Sequence, residues 1–208
     1  MAITQITQFT ASPTDEPLAA IAKAFESKDP NAPQHFVLGS QIQEEDTYHT
    51  LSQHVSLASS QAFLAQNPSA NASFQSLHAT FNTPLFAPGA PGTAPVIEYA
   101  QVFFPASKIT PEFQAAIEAD FLRFDAIMRR CLKGDVGLAY GWAEEELEHE
   151  DLDEGARSFL VLRGWESMAA FQGLLGAEEY REAIGILFDW QTPFSVWHVE
   201  RKLSSGST

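Results

Sequence analysis

Histidine is the residue type in this sequence best suited to acid–base catalysis. An imidazole with an ordinary pKa near 6.5 can both accept and donate a proton at neutral pH. His54 ends a segment whose alternation predicts a strand, and it shares a face of that strand with Tyr48 and Ser52. His78 lies on an apolar face that is predicted to be helical and to meet the sheet. Each of these histidines can instead be a packed core residue, so both interpretations stay open.

Aromatic side chains supply the other candidate functional groups. Tyr99 and Tyr140, on two predicted strands, can donate a phenol hydrogen bond to a substrate carbonyl. Trp142 and Trp197 can stack on a flat substrate. Packing in the core is the commoner role of such rings, and it is the alternative for each of them.

Phenylalanine is abundant, with sixteen Phe against four Tyr and four Trp. This content suits either an ordinary core or an apolar cavity, because ligand pockets are lined mostly by apolar and aromatic groups. Phe121 and Phe124 lie on the apolar stripe of a predicted helix. We predict that these two rings contact a hydrophobic small-molecule substrate.

The sequence contains no motif for a nucleotide cofactor or for a serine nucleophile. Gly-x-Gly-x-x-Gly, a phosphate-binding loop and Gly-x-Ser-x-Gly are all absent. The acidic run of residues 144–151 places His149 among carboxylates that could bind a metal ion. Blocks of like charge are more typical of solvated loops. We therefore predict neither a cofactor nor a metal.

The net charge of −15 narrows the range of partners. An acidic surface repels phosphate backbones and anionic lipids, so we predict no nucleic-acid partner and no membrane partner. The N-terminal residues do not form a basic region followed by an apolar core, so cytoplasmic residence is expected. The single cysteine, Cys131, excludes an internal disulfide.

The strand and helix patterns repeat one plan in two halves. Residues 157–202 predict a strand, a continuous helix over residues 167–188 and a final strand. In the first half, residues 74–81 show the helical spacing i, i+3, i+4 and i+7, and a short strand is predicted at residues 84–86. Each half therefore predicts a β-α-β-β-α-β, or ferredoxin-like, unit.

A Pro- and Gly-rich segment separates the two halves. Residues 87–95 contain three Pro and two Gly, which is typical of a linker. We place one ferredoxin-like unit at residues 1–86, the second at residues 96–203 and a flexible tail at residues 204–208. The fold class is α+β. Short matches in a common order relate the halves, including Gly39 with Gly141 and Ser56 with Ser167.

One segment resembles a known superfamily. Gly-Trp-Glu-Ser-Met-Ala-Ala-Phe-Gln-Gly at residues 164–173, continued by Glu-Glu-Tyr-Arg at residues 178–181, is similar to the strand-to-helix segment of dimeric α+β barrel proteins. These include antibiotic biosynthesis monooxygenases, stress-responsive A/B barrel proteins and polyketide cyclases. The resemblance implies tandem ferredoxin-like units that form an intrachain dimeric α+β barrel, with a pocket between sheet and helices. The resemblance also makes His198, on the last strand, the first choice for an acid–base residue. It leaves open whether two copies of this chain form a homodimer.

The resemblance and the composition imply a cofactor-independent enzyme of secondary-metabolite biosynthesis. Positioning, hydrogen bonds and a shaped apolar pocket suit the cyclisation of a polyketide- or terpenoid-like substrate, by aldol-type closure or cycloaddition. The alternatives are a cofactor-free monooxygenase of a phenolic substrate, a non-catalytic stress-related or ligand-binding barrel, and a haem-handling barrel. We expect the pocket in residues 96–202, which have the longer first helix and the denser aromatic content.

Overall fold

A computed structural model of the protein describes residues 2–10, 16–66 and 75–205. In these residues the chain forms eight β-strands and five α-helices. The strands are β1 (Ile3–Thr10), β2 (His35–Gln41), β3 (Thr47–His54), β4 (Gln75–Phe81), β5 (Val96–Pro105), β6 (Asp135–Ala143), β7 (Ala156–Trp165) and β8 (Phe194–Ser204). The helices are α1 (Glu16–Phe25), α2 (Leu57–Gln66), α3 (Pro111–Met128), α4 (Met168–Leu175) and α5 (Glu178–Phe188).

The eight strands close into one barrel in the order β1-β3-β2-β8-β5-β7-β6-β4. Within this order, β4-β1-β3-β2 and β8-β5-β7-β6 are two ferredoxin-like sheets with the same internal arrangement. The sheets join at two seams, where β2 pairs with β8 and β4 pairs with β6, both antiparallel. The predicted α+β fold of tandem ferredoxin-like units in one chain is thereby confirmed.

The barrel wall buries side chains on both of its faces. Alternate strand residues point into the barrel, where Leu51, Ile97 and Leu162 are fully buried. The intervening residues face the helices, as Phe36 does in the first half and Phe159 in the second. Each half therefore has a core between sheet and helices, and the two halves share a third core inside the barrel.

Glycine lies at the same place in both seams. A Cβ atom on Gly39 would lie 2.5 Å from the Glu200 carbonyl oxygen of β8, and a Cβ atom on Gly141 would lie closer still to the Thr80 carbonyl oxygen of β4. No side chain fits at such a backbone-to-backbone approach. The sequence match between these two glycines thus reflects equivalent positions in the barrel.

The helix predicted over residues 74–81 was wrong, because residues 75–81 form strand β4, while residue 74 lies outside the described residues. Its spacing also fits a strand, since Leu77, Ala79 and Phe81 point into the barrel core while His78 points the other way. Pairing with β1 and β6 satisfies its backbone groups, and such tertiary pairing overrides a short helical pattern. The strand predicted at residues 84–86 is not formed, because β4 already occupies the fourth position of the sheet.

Helices α3 and α4 of the second half each begin directly after a hydroxyl-bearing cap residue. The Thr110 hydroxyl accepts from the Phe113 backbone N–H at the start of α3, and the Ser167 hydroxyl caps α4 in the same way. The single helix predicted over residues 167–188 is divided into α4 and α5 at Gly176. No helix in the described residues is both long and apolar enough to cross a membrane.

The predicted linker and tail make specific contacts. Pro91 and Gly92 are buried in a short 3-10 turn within the linker. At the other end of the chain, β8 extends to Ser204, and the Ser205 backbone N–H donates to the Phe36 carbonyl. Residues 206–208 of the predicted tail lie outside the described residues, and the unit boundaries stay a prediction.

Candidate functional site

A cavity of about 330 Å³ lies between the sheet and the helices of the second half. Its floor is the outer face of β5, β7 and β8, and its walls come from α3, α4 and α5. The lining is mostly apolar, and it includes Val102, Phe121, Phe124, Val161, Leu187 and Phe194. This volume lies at the lower end of the range of roughly 300–1,000 Å³ that is typical of small-molecule sites.

Glu98 places a carboxylate in this apolar cavity. The outward-facing residues of β5 are otherwise apolar around it, with Val96, Ala100 and Val102 on the same face. The Glu98 side chain is 21% exposed, and its Oε2 accepts a 2.7 Å hydrogen bond from Trp165 Nε1. Burial raises the pKa of Glu98, although the Trp165 hydrogen bond partly opposes the rise. A carboxylate in this setting is a stronger base than one in water.

Arg163 lies beside Glu98 on the cavity floor, but carboxylates from two other elements hold it. Its guanidinium pairs closely with Asp125 on α3 and forms a 2.9 Å ion pair with Asp135 at the start of β6. Asp125 also accepts a 2.6 Å hydrogen bond from Arg129 Nε, as the i, i+4 spacing predicts. The Asp125 side chain is buried, whereas that of Arg129 is exposed. Two carboxylates therefore balance the positive charge of Arg163.

His198 lies directly across the β5–β8 strand pair from Glu98. Its ring is buried, it packs against Phe171 with the ring centroids 4.2 Å apart, and its Nε2 lies 4.0 Å from Glu98 Oε2. On its other side, Nδ1 lies 2.8 Å from the amide Nε2 of Gln43. Burial lowers the pKa of His198 to about 4, so the imidazole is neutral at pH 7.

The structure brings some of the predicted site residues together. Phe121 and Phe124 line the cavity, and their contact with a substrate stays a prediction. Tyr140 packs beside it under α3, with its ring centroid 5.5 Å from that of Phe121. Trp142 also lies under α3, where its Nε1 donates to Glu118 Oε1 over 3.0 Å. His198 adjoins Glu98 at the polar end of the same site.

Tyr99 and Trp197 lie on the opposite face of the sheet. Their rings stack in parallel inside the barrel, with centroids 5.4 Å apart, and the ring of His49 stacks against both. Burial raises the pKa of Tyr99 above its ordinary value. These two residues do not meet Glu98 and His198, because adjacent strand residues point to opposite faces.

His54 and His78 belong to the first half and do not reach the cavity. Burial lowers the pKa of His54 to about 4, and its Nε2 lies 3.2 Å from the Ser52 hydroxyl. His78 Nε2 lies 2.9 Å from Ser60 Oγ, and its Nδ1 lies 2.5 Å from Glu145 Oε1. In this Ser-His-Glu chain the Ser60 hydroxyl donates to Gln5 Oε1 over 2.7 Å and not to His78, unlike the serine of an activated nucleophile, and Ser60 is 0% exposed. A substrate therefore cannot reach the hydroxyl, and the chain is structural.

The sequence reasoning missed Glu98, Arg163 and Gln43. The signal for Glu98 was present, since it is the one carboxylate on an otherwise apolar strand face between Val96 and Val102. Arg163 interrupts the apolar strand β7 in the same way. Gln43 lies in a polar turn after β2, and no local pattern marks it, because its partner is 155 residues away in the chain.

Comparison with known proteins bears on the fold. No family model matches the sequence, and no curated protein matches it. Among solved structures, an anthrone oxidase-like protein matches with a TM-score of 0.62 and 12% identity, over 98% of this chain and 92% of that chain. A candidate monooxygenase from Lactobacillus acidophilus matches with a TM-score of 0.57 and 10% identity, over 98% of this chain and 95% of that chain. This chain has the dimeric α+β barrel fold.

A third solved structure that matches this chain is named for a different activity. A candidate chlorite dismutase matches with a TM-score of 0.57 and 11% identity, over 97% of this chain and 95% of that chain. At such identities the likeness concerns the fold alone. The residues of its own cavity are therefore the evidence for the activity of this dimeric α+β barrel.

Proposed function

We propose that the protein is a cofactor-independent enzyme that removes a proton from a small apolar, aromatic substrate bound in the second-half cavity, with Glu98 as the base. The observation that carries the proposal is the position of Glu98, a carboxylate of raised pKa that opens into an apolar cavity. Perturbed carboxylates in clefts are typical of acid–base sites.

The proposed first step leaves an anion on the substrate. Glu98 takes a proton from a carbon next to a carbonyl, or from a phenol, and the electron pair of the broken bond stays on the substrate. The Trp165 N–H, 2.7 Å from Glu98 Oε2, keeps the carboxylate in place. The rings of Phe121 and Phe124 support a flat substrate through stacking.

Oxygenation is the proposed fate of this anion. Molecular oxygen is the second substrate: a methylene group plus O₂ gives a carbonyl group plus water, so one oxygen atom enters the product and the other leaves as water. One comparison and one chemical argument support this choice. The folds that match over nearly the whole chain include a candidate monooxygenase and an anthrone oxidase-like protein, and an electron-rich enolate or phenolate needs only a base to form.

Aldol-type cyclisation is the second candidate. The same substrate carbanion would attack another carbonyl of the same molecule, with no change in oxidation state. The cavity favours this reaction through its aromatic walls on α3 and near β8, including Phe124 and Trp190, which would hold a flexible substrate in one compact conformer.

Two alternatives from the sequence find less support. A non-catalytic barrel predicts a site filled by its own side chains, whereas a cavity of about 330 Å³ adjoins Glu98. A haem-handling barrel needs an imidazole nitrogen that opens into the cavity, and no histidine is among the described residues that line it. His198 Nε2, the closest by position, is fully buried and faces Glu98. These residues do not fit an axial haem ligand.

The test compares two Glu→Gln variants. A tricyclic anthrone and a set of phenols are incubated with the wild-type protein, with oxygen uptake followed by electrode and products by mass spectrometry. Glu98→Gln is expected to lower kcat/KM by roughly 10²- to 10⁴-fold. Glu118→Gln is the matched control, because Glu118 also accepts from a tryptophan Nε1 but does not line the cavity.

Three outcomes separate the candidates. Turnover that consumes oxygen and depends on Glu98 supports the oxygenase. Turnover without oxygen uptake that depends on Glu98 supports cyclisation. Full activity in Glu98→Gln, or binding of these compounds with no turnover, overturns the proposal.

A further inference from the structure

The two seams of the barrel hold a histidine in the same way. In the β2–β8 seam, Gln43 Oε1 accepts from the His198 backbone N–H over 3.0 Å, and Gln43 Nε2 lies 2.8 Å from His198 Nδ1. In the β4–β6 seam, Glu145 Oε2 accepts from the His78 backbone N–H over 2.8 Å, and Glu145 Oε1 lies 2.5 Å from His78 Nδ1.

The backbone around these side chains matches as well. The Ile42 N–H donates to the His198 carbonyl over 2.8 Å, and the Glu144 N–H donates to the His78 carbonyl over 2.8 Å. The next residue after each donor, Gln43 or Glu145, carries the side chain that contacts both the backbone N–H and the ring of the histidine. The two arrangements are therefore equivalent by the pseudo-twofold relation of the halves, and they differ in one group: an amide in one seam and a carboxylate in the other.

That difference assigns the protons on the two rings. A carboxylate only accepts, so His78 must carry a proton on Nδ1. The Gln43 amide has an oxygen that accepts and an NH₂ group that donates; the oxygen faces the His198 backbone N–H, so the NH₂ group faces the ring. Its NH₂ group must then donate to His198 Nδ1, which leaves the proton of the neutral ring on Nε2.

The Nε2 atom of His198 has no hydrogen-bond partner among the described residues, although it is buried. The facing acceptor is Glu98 Oε2 at 4.0 Å, which is beyond hydrogen-bond range. A buried N–H without a partner is costly, and such a group calls for a functional explanation.

We propose that Gln43 is a positioning residue for the second-half site: it holds His198 as the Nε2–H tautomer and so aims an N–H at the carboxylate of Glu98. The inference rests on the proposed function in one respect, that Glu98 is the reacting base. The site in the second half is then completed by a side chain of the first half. The ring state of His198 can nevertheless be measured without any substrate.

The experiment is NMR of protein labelled with ¹⁵N-histidine, in which long-range couplings distinguish the Nδ1–H and Nε2–H tautomers. His198 is assigned by the signal that is lost in His198→Asn. The wild-type protein is expected to show Nε2–H for His198 and a protonated Nδ1 for His78. Gln43→Glu is expected to move the proton of His198 to Nδ1 or to protonate both nitrogens.

The matched control is the reverse exchange in the other seam. Glu145→Gln is expected to convert His78 to Nε2–H and to leave the His198 signals unchanged. The charged group that faces His198 is Glu98, and Arg163, Asp135 and Tyr180 interact with Glu98 in turn. All of them are retained in both variants. A change at His198 in Gln43→Glu alone therefore reports the amide contact.

Measurements of kcat and KM distinguish a positioning role of Gln43 from a purely structural one. Gln43→Glu is expected to lower kcat about 10-fold with little change in KM, whereas Glu145→Gln leaves both unchanged. An Nδ1–H ring in wild-type His198, an unchanged ring in Gln43→Glu, or a changed ring with unchanged kcat each overturns the inference. Failure of the proposed function is a different result, in which Glu98→Gln keeps its activity while the tautomer pattern is as stated.

Discussion

Gln5 and Glu98 occupy equivalent positions in the two halves of the barrel. Gln5 pairs with His78 across β1 and β4, and Glu98 pairs with His198 across β5 and β8. In the first half, Ser60 Oγ donates to Gln5 Oε1 over 2.7 Å, so the position belongs to a packed polar network. In the second half, the same position opens into a cavity. The same strand layout thus supports a packed half and a half with a candidate active site.

Removing the Glu98 charge should stabilise the fold at neutral pH. Because the pKa of Glu98 is raised in the folded state, the folded protein binds this proton more tightly than the unfolded chain, and stability is lost as pH rises through the folded pKa. We expect Glu98→Gln to increase the free energy of unfolding at pH 7 by on the order of 1 kcal/mol, and to lose this advantage near pH 4. Urea denaturation of the wild-type protein and the variant at both pH values measures this difference in the free energy of unfolding. An equal difference at both pH values would contradict the prediction.

The indole N–H of Trp165 should set the pH at which Glu98 works. Its hydrogen bond lowers the pKa of Glu98, so its removal raises that pKa further. In Trp165→Phe, we expect the ascending limb of the pH–rate profile to move to higher pH. Trp142→Phe is the control, since that indole donates to Glu118 outside the cavity, and it should leave the limb in place. A shift of the same size in both variants would speak against a specific role for Trp165.

Buried histidines should make the protein sensitive to acid. Burial lowers the pKa of His49, His54 and His198 to about 4 each. Their neutral forms are retained in the fold while the unfolded chain takes up protons, so stability falls as pH drops from about 6.5 to about 4. We expect His49→Gln to show a smaller loss over this range than the wild-type protein. The exposed His35 gives the control variant His35→Gln, for which the pH dependence of unfolding should be unchanged.

The seam glycines should be much less tolerant than the helix glycines. Alanine at Gly39 or Gly141 would place a methyl group against a carbonyl of the facing strand, and we expect each change to cost about 1–3 kcal/mol or more. Gly185 on α5 has open space around its Cβ position, so Gly185→Ala should be neutral or stabilising by up to about 1 kcal/mol. Thermal denaturation of the three variants measures the difference. Similar effects at all three sites would argue against tight seams.

Local patterns in the sequence were sufficient for the order of elements and for the tandem plan. Thr110 and Ser167 mark helix starts because they are short side chains that cap free N–H groups. The match of Gly39 with Gly141 reflects a real equivalence, since both lie at seams. Residues 74–81 were misassigned because so short an apolar pattern fits both a helix and a strand, and only the pairing of residues 75–81 with β1 and β6 decides between them.

The site depended on information that no local pattern contains. In an open sheet with one wet face, alternation tells which residues point inward, but in this barrel strands such as β5 and β7 bury side chains on both faces, one inside the barrel and one under the helices. The sequence could therefore predict that Glu98 and Tyr99 point to opposite faces, but not which of them meets the cavity. Closure of the barrel decided that Glu98 and His198 share the cavity side while Tyr99 stacks inside. The same closure brought Gln43 to His198 across two units, because the barrel exists only when the edge strands of both halves pair.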